Sequence, residues 1–224
     1  MNQIFTDSAE LRSFLKTIPF CGITKRTNPD LLKDFIVIDT ETTGLDAVRD
    51  EIIDVGAIRF RDWQPAEAFS MLLKPHRHIP SSVSDINHIT DDMVALSPYY
   101  ADVIPELQTF IGNDNLVGQN LSFDLGFLVN WGLPLNMRNH IFFDTVQIAE
   151  KLLRTRYSGY YDRVQRKWVR TENENYDIEN LKLETLCRYY GVPLESAHRA
   201  ANDALATGLL FRKLTEAATG NEIR

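Results

Sequence analysis

Two carboxylates lie two positions apart at the end of an apolar run, in the stretch FIVIDTETTGLD from Phe35 to Asp46. Because side chains alternate across a strand, Asp39 and Glu41 project to the same side and Thr40 to the other. Carboxylates held a few ångströms apart raise one another's pKa unless a cation neutralises them. Such oxygen ligands suit Mg²⁺ or Mn²⁺. The pair therefore indicates a metal site, and the alternative is a solvated strand end that faces a turn.

Two later segments offer further acidic residues. In GQNLSFDLGFL (118–128), Asp124 lies in the first turn of a helix that we expect Ser122 to cap. The helix dipole favours an acidic residue there by roughly 0.3–1 kcal/mol without any function, so a structural role is the alternative.

In AHRAANDALATGLL (197–210), Asp203 follows His198 by five positions. Five helical residues turn through about 500°, which leaves two such side chains about 140° away from a shared face. We therefore expect His198 on a loop or at the very start of the helix, where it can approach a site that Asp203 enters from the helix.

The remaining candidates favour structural roles. Asp144 precedes Gln147 by three positions, which is a capping-box arrangement. Asp54 lies in the next strand and is expected to support the fold. We interpret the other histidines, which lack a metal-ligand spacing, as surface or loop residues: His76, His78, His88 and His140.

Hydrophobic periodicity predicts the elements that must position these residues. The predicted helices are 8–18 (after a Ser8 cap), 91–96, 99–111, 122–131, 145–153, 181–190 and 199–214. The predicted strands are 35–39, 51–60, 66–75, 116–117 and 141–143. Strands followed by alternating helices and short strands indicate an α/β domain with one mixed sheet flanked by helices.

Composition limits the class of function. The chain has 224 residues, and 24 Lys and Arg against 31 Asp and Glu give a net charge of -7, which argues against nucleic-acid binding by diffuse positive potential. The two cysteines, Cys21 and Cys187, show no metal spacing and indicate a reduced, cytoplasmic protein. We find no targeting segment and no apolar run of about 18 residues that could span a membrane.

One segment departs from the acidic composition. Residues 154–170 contain six basic residues and one acidic residue, interleaved with Tyr157, Tyr160, Tyr161 and Trp168. Basic residues and stacking aromatics together are typical of single-strand contacts. We expect a loop or a hairpin that turns near Gln165 and Arg166 and contacts the substrate; the alternatives are a solvated hairpin or a dimer contact.

The motifs DxETTG, FDxxFL and HxxxxD occur in one order from about Phe35 to Leu214. This order resembles the DEDDh branch of the DEDD 3'-5' exonucleases, the family of the DnaQ-like, RNase T and DNA polymerase III epsilon-like enzymes, and INHITDDMV (86–94) resembles a further family segment. The resemblance implies an α/β, RNase H-like (DnaQ-like) fold, with an exonuclease domain at 34–218, a basic, aromatic insertion at about 154–179 and an N-terminal helical extension at 1–33.

The resemblance also implies roles for individual residues. Asp39, Glu41, Asp124 and Asp203 would hold two Mg²⁺ ions, which Mn²⁺ can replace, and His198 would be the general base. The implied reaction is hydrolysis from the 3' end of single-stranded DNA or RNA, with release of nucleoside 5'-monophosphates. The implied substrate-binding residues are Thr42, Thr43, Gly44, Leu45, Asn120 and Phe123.

Some features depart from the family pattern or leave alternatives open. Gln119 and Asn120 stand where many relatives have His-Asn, and the chain ends ten residues after Leu214, without a polymerase-tethering tail. We therefore expect a free-standing nuclease that requires no membrane, and a homodimer is left open. The alternative functions are a nucleic-acid-binding or assembly module of the same fold and a phosphodiesterase acting on dinucleotides.

Overall fold

The structure is a computed structural model that describes residues 3–135, 138–162, 166–195 and 198–223. The strands are β1 (Phe35–Thr42), β2 (Ile52–Arg61), β3 (Gln64–Leu72), β4 (Asn115–Gly118), β5 (Phe142–Asp144), β6 (Tyr157–Asp162) and β7 (Lys167–Glu172). The helices are α1 (Ser8–Leu15), α2 (Ser81–Asn87), α3 (Asp91–Val94), α4 (Tyr100–Ile111), α5 (Leu121–Asn130), α6 (Thr145–Leu152), α7 (Leu183–Tyr190) and α8 (Ala200–Thr219).

The predicted mixed sheet is confirmed. Its five strands have the order β3-β2-β1-β4-β5, with β1, β2 and β3 antiparallel and β4 and β5 parallel to β1. β4 pairs with β1 only as far as Val37, so the end of β1 that carries Asp39 and Glu41 has an open edge on that side. A pair of carboxylates can therefore be approached there by other elements.

Side chains of β1 alternate between two hydrophobic cores. Phe35 and Val37 pack with α6, α7 and α8, whereas Ile36 and Ile38 pack with α1, α4 and α5. Helices thus cover both faces, which explains why the strand is apolar on both sides. The alternation places Asp39 and Glu41 on the face that α8 covers, and Thr40 on the face that α5 covers.

The N-terminal segment is anchored to this sheet. The backbone N–H of Ile4 donates to Asn130 at 3.1 Å, and that of Cys21 donates to Phe142 at 2.8 Å. Two predictions for α1 were wrong: the helix ends at Leu15 and not at residue 18, and Asp7 caps it, because its carboxylate accepts from the N–H groups of the first turn. The division of the chain at residue 33 stays a prediction.

Other elements differ from the sequence-based expectation in extent. Helix α2 was not predicted, because SSVSDIN has few strong helix formers, and β1 continues three residues beyond the predicted end. A two-stranded hairpin, β6-β7, forms within the basic segment, and its predicted turn lies partly outside the described residues. No helix in the described part of the chain combines the length and apolar character that crossing a bilayer requires.

Candidate active site

The open edge of β1 meets α5 through Asp124. Its Oδ1 accepts the backbone N–H of Thr40 at 2.9 Å and the Thr40 hydroxyl at 2.8 Å. This N–H is available because β4 no longer pairs with β1 at this point. Asp124 is only 3% exposed, so these two hydrogen bonds hold a buried carboxylate beside the Asp39 and Glu41 strand end.

Helix α8 brings the fourth carboxylate to the same place. Its first residues lie directly on β2 at Gly56, where a Cβ would overlap the backbone of Ala200 and Ala201. Gly56 pairs with Asp39 in the sheet register, so this close approach brings the first turn of α8, with Asp203, to the carboxylates of β1.

His198 precedes α8, as its spacing from Asp203 predicts. The helix begins at Ala200, and His198 has a positive φ of 69° in the preceding loop. The backbone N–H of His198 donates to Asp203 Oδ2 at 3.0 Å, which holds this loop against the helix. Ligand atoms of Glu41, His198 and Asp203 lie within 4.8 Å of one another, so the site combines two carboxylates and an exposed imidazole.

The carboxylates are held in an environment that opposes their ionisation. Burial raises the pKa of Asp39 well above its usual range, and the charges of Asp124, Asp203 and Glu41 raise it further. Burial likewise raises the pKa of Glu41 to about 7 and that of Asp124 to about 7. The pKa of Asp203 is also raised, mainly by burial. Burial is thus the main cause of all four shifts, and the charges of neighbouring acids add to it for Asp39, Glu41 and Asp124.

The donor set fits a hard divalent cation. Oδ1 of Asp203 is buried and has no hydrogen-bond partner among the described residues, so its lone pairs are available to a ligand. Carboxylate oxygens are the ligands that Mg²⁺ and Mn²⁺ prefer. A bound cation would also favour the ionised form of these buried acids and offset the repulsion that contributes to the raised pKa values of Asp39, Glu41 and Asp124.

Two neighbours of the site have contacts that the sequence did not indicate: Asn87, which was given no role, and Asp54, which was expected only to support the fold. The Asn87 side chain, which is 2% exposed, lies 3.5 Å from Glu41 Oε2 and accepts the N–H of Ile89. Asp54, paired with Glu41 across β1 and β2, accepts from Arg199 Nε at 3.1 Å. The INHIT segment was a signal for Asn87, whereas the Asp54 contact with Arg199 joins distant parts of the chain.

The turn after β1 engages its own hydroxyl groups. The Thr42 hydroxyl donates to the Gly44 carbonyl at 2.6 Å, and the Thr43 hydroxyl accepts the N–H of Glu51 at 2.9 Å. Both threonines are buried, whereas Leu45 is 87% exposed. The turn thus presents Leu45 to solvent, and the substrate contacts of these residues stay predictions.

The predicted residues of α5 lie across a depression from that turn. Asn120 and Phe123 line it together with Leu45. Asn120 has a φ of 59° and is the residue before the helix, so the expectation that Ser122 caps α5 was wrong. Gln119 points elsewhere, because its amide donates to the Leu181 carbonyl at 2.7 Å.

The residues given structural roles have identifiable partners. Asp144 caps α6 by accepting from Val146, as predicted, and it also accepts the N–H of Asn120 at 3.1 Å. His140 is buried rather than on the surface, because its ring bonds the Asp114 carbonyl at 2.7 Å. His76 contacts Glu51 at 2.7 Å, and His78 contacts Asp91.

The mixed sheet and the four carboxylates at the end of its central strand define the class of RNase H-like nucleases. A family model described as Exonuclease (RNase_T) matches residues 36–211. The chain belongs to this family, that of the DnaQ-like 3'-5' exonucleases, as the sequence motifs predict.

Individual proteins agree with this assignment. The DNA polymerase III subunit epsilon of Treponema pallidum is 35% identical over 177 residues, covering 79% of this chain and 74% of the relative. The PolC-type DNA polymerase III of Oceanobacillus iheyensis is 35% identical over 192 residues, but this chain spans only 12% of its length. The structure of exonuclease X in complex with 5' overhanging duplex DNA matches with a TM-score of 0.57 and 23% identity over 84% of this chain and 95% of that one, which shows the same fold.

Proposed function

We propose that this protein removes nucleotides from the 3' end of single-stranded DNA and releases nucleoside 5'-monophosphates, with two Mg²⁺ ions held by four carboxylates. Mn²⁺ is expected to substitute. The observation that supports the proposal is the convergence of Asp39, Glu41, Asp124 and Asp203, all with raised pKa values, together with an Asp203 oxygen that has no hydrogen-bond partner among the described residues. The relatives named as DNA polymerase subunits favour DNA over RNA as the substrate class.

The chain's own residues have distinct tasks in this proposal. When bound, the metal ions would activate a water molecule and stabilise the charge on the leaving 3'-oxygen. His198 is exposed and lies among Glu41 and Asp203, so its imidazole can accept the proton of the attacking water and release it to solvent. Thr40 orients Asp124 through two hydrogen bonds, and the N–H of His198 orients Asp203.

The substrate contacts in this proposal are tolerant of base sequence. Leu45, from the turn after β1, and Phe123, next to Asp124 in α5, line one depression and offer apolar surface to the face of any base. Asn120, also in its lining, offers an amide that can bond a sugar or phosphate oxygen. Cleavage is therefore expected to proceed without sequence preference. A cytoplasmic location is part of the same proposal and is supported by two cysteines that are free thiols.

A digestion series tests the function. The substrates are matched 5'-labelled 20-mers of single-stranded DNA, single-stranded RNA and duplex DNA, and a labelled dinucleotide. Each is incubated with Mg²⁺, with Mn²⁺ and with chelator. We expect metal-dependent shortening of the single-stranded DNA from its 3' end and 5'-monophosphate products, and Asp203→Asn serves as the inactive control.

Other patterns would contradict the proposal in different ways. Cleavage in excess chelator would exclude metal dependence. Rapid cleavage of the dinucleotide alone would indicate the phosphodiesterase, and tight DNA binding without cleavage would indicate the binding module. Preferred cleavage of RNA or of duplex ends would correct the substrate class and leave the reaction class in place.

A further inference from the structure

Helix α1 forms one wall of the depression that contains Leu45, Asn120 and Phe123. This depression has a volume of about 570 Å³ and lies between α1, the turn after β1 and α5, with Leu11 and Arg12 on the α1 side. The α1 segment precedes the residues that the family model matches. The chain therefore adds a wall of its own to the predicted nucleotide site.

A second depression extends this wall along the helix. It has a volume of about 400 Å³ and is lined by Lys16, Phe20 and Gln147, among others. Arg12, Leu15 and Ser122 line both depressions, so the two adjoin along α1. Adjoining depressions that extend away from Leu45 offer surface for several nucleotides of a strand.

Helix α1 is fixed firmly enough to serve as a wall. Leu15 lies over Gly126 of α5, where an added Cβ would come within 3.2 Å of the leucine side chain. The Ser8 hydroxyl donates to the Asp46 carboxylate at 2.9 Å, which joins α1 to the turn after β1. The Phe5 N–H donates to the Asn130 side chain at 2.7 Å, and that side chain also donates to Ala47. These contacts hold the helix against both other walls.

The cations of this wall are available to a ligand. Arg12 and Lys16 are exposed and four residues apart, so they lie on one face of the helix end. Within the described part of the chain, neither side chain has a hydrogen bond or a salt bridge. Two acids also line the first depression. Asp46 accepts from Val48 and Ser8 and lies 3.7 Å from Arg49 Nε, and these hydrogen bonds, together with the charges of Arg49 and Arg12, lower its pKa. Asp50 accepts the N–H of Asp46 at 2.9 Å. Lys16 lines the second depression, which includes neither acid.

We infer that α1 is a DNA-backbone-binding helix, in which Arg12 and Lys16 contact phosphates of the strand that leads away from the active site. In a protein with a net charge of -7, a polyanion must be attracted by local cations of this kind. The inference rests on the proposed single-stranded substrate, and it assigns the N-terminal segment to substrate binding rather than to the reaction.

The test measures how DNA affinity depends on salt. Binding of a 5'-labelled 20-nucleotide oligothymidylate is followed by fluorescence anisotropy in Ca²⁺ at several NaCl concentrations, for the wild type and for Arg12→Ala/Lys16→Ala. Each phosphate contact with a single strand contributes about 0.7 to the slope of log K against log salt. We expect the double variant to bind more weakly and its slope to be less steep by about 1.4.

Two variants control for charge and folding. Lys25→Ala/Arg26→Ala removes the same charge from exposed residues that line neither depression, and it should retain the wild-type slope. Arg12→Lys keeps the charge and should also retain the wild-type slope. If the Arg12 and Lys16 double variant keeps the wild-type slope, or matches the Lys25 and Arg26 variant, the inference is wrong. Failure of the wild type to cleave DNA would overturn the proposed function. A less steep slope in the Arg12 and Lys16 variant would still show that α1 binds the DNA backbone.

Discussion

Arg199 Nε donates to Asp54 Oδ2 at 3.1 Å and thereby fixes the residue that directly follows His198. Asp54 is 1% exposed and also lies 3.4 Å from the N–H of Ala200, the first residue of α8. Because Asp54 pairs with Glu41 in the sheet register, one carboxylate connects the strand of the site to the loop of the proposed general base. The geometry of His198 therefore depends on β2.

Arg199→Ala is expected to lower kcat about 10- to 100-fold with little change in KM, because small displacements of a catalytic group have effects of this size. Arg199→Lys retains the charge without the Nε donor and should restore part of the rate. Rates are compared at equal folded fraction, determined by thermal denaturation. Wild-type kcat in Arg199→Ala would show that His198 is positioned without this ion pair.

His198→Ala is expected to lower kcat by about 10²–10⁴-fold and to leave DNA affinity nearly unchanged, as for a positioned general base. Steady-state kinetics and Tm measured on one preparation separate this role from a structural one. His198 is exposed and lies outside the helix, so its loss should not reduce Tm appreciably. A lower Tm together with normal turnover per folded molecule would instead assign the residue to the fold.

Asp39→Ala and Asp203→Ala are each expected to abolish metal-dependent cleavage without unfolding the protein. Each substitution removes one of several carboxylates that raise one another's pKa, so the metal-free variants should be as stable as the wild type or more stable. Activity and Tm in chelator are the measurements. Cleavage at more than a few per cent of the wild-type rate would exclude the altered residue as an essential ligand.

The metal-free protein is expected to lose stability as pH rises from about 4 to 7. Glu41 and Asp124 have pKa values of about 7 in the folded protein, against about 4.3 and 3.9 in an unfolded chain. Between these values the folded state binds protons that the unfolded state has released, so the free energy of unfolding decreases with pH. The loss of folding stability is complete once the pH is above the folded-state pKa values of Glu41 and Asp124.

Urea denaturation at pH 5.5 and pH 8 in chelator measures this dependence. Asp124→Asn keeps an oxygen that can accept from Thr40 and should reduce the pH dependence of stability. Mg²⁺ should raise stability most at pH 8, because Mg²⁺ binds the ionised carboxylates. Greater metal-free stability at pH 8 than at pH 5.5 would contradict the raised pKa values.

The β6-β7 hairpin is predicted to contact the substrate through Arg166 and Lys167, which are exposed. Other cations of the segment are partly neutralised, because Arg154 pairs with Asp177 and Arg156 with Glu172. Arg163 lies outside the described residues. Arg166→Ala/Lys167→Ala should therefore weaken DNA binding and flatten its salt dependence by up to about 1.4. Unchanged affinity and slope would leave these two residues without a role in binding.

Local signals in the sequence indicated only part of the candidate site, and the assignment of four metal ligands and a general base rests on the resemblance carried by the order of the three motifs. Asp39 and Glu41 stand at the end of an apolar run in β1, and the rotation of a helix places His198 off the face of Asp203 if both were helical. The sheet and its main helices follow from hydrophobic periodicity in the same way. These features depend on neighbours in sequence, which a single chain displays directly.

The missed features depend on contacts between distant residues. The ion pair between Asp54 and Arg199 and the packing of Leu15 on Gly126 have no local pattern. Likewise, Asn120 rather than Ser122 is the residue that precedes α5, and its N–H donates to Asp144 of β5, far away in sequence. Tertiary partners decide such cases, and propensity alone cannot identify them.

The order of the four carboxylates along the chain has a consequence during synthesis. Asp39 and Glu41 belong to the first strand, whereas Asp203 enters the site from α8 and closes it against Gly56. A nascent chain can pair β1 with β2 and β3 early, because these strands are consecutive and antiparallel. In the proposed mechanism the set of four carboxylates would be incomplete until α8 has left the ribosome, so a chain interrupted before Asp203 is expected to be inactive as a nuclease.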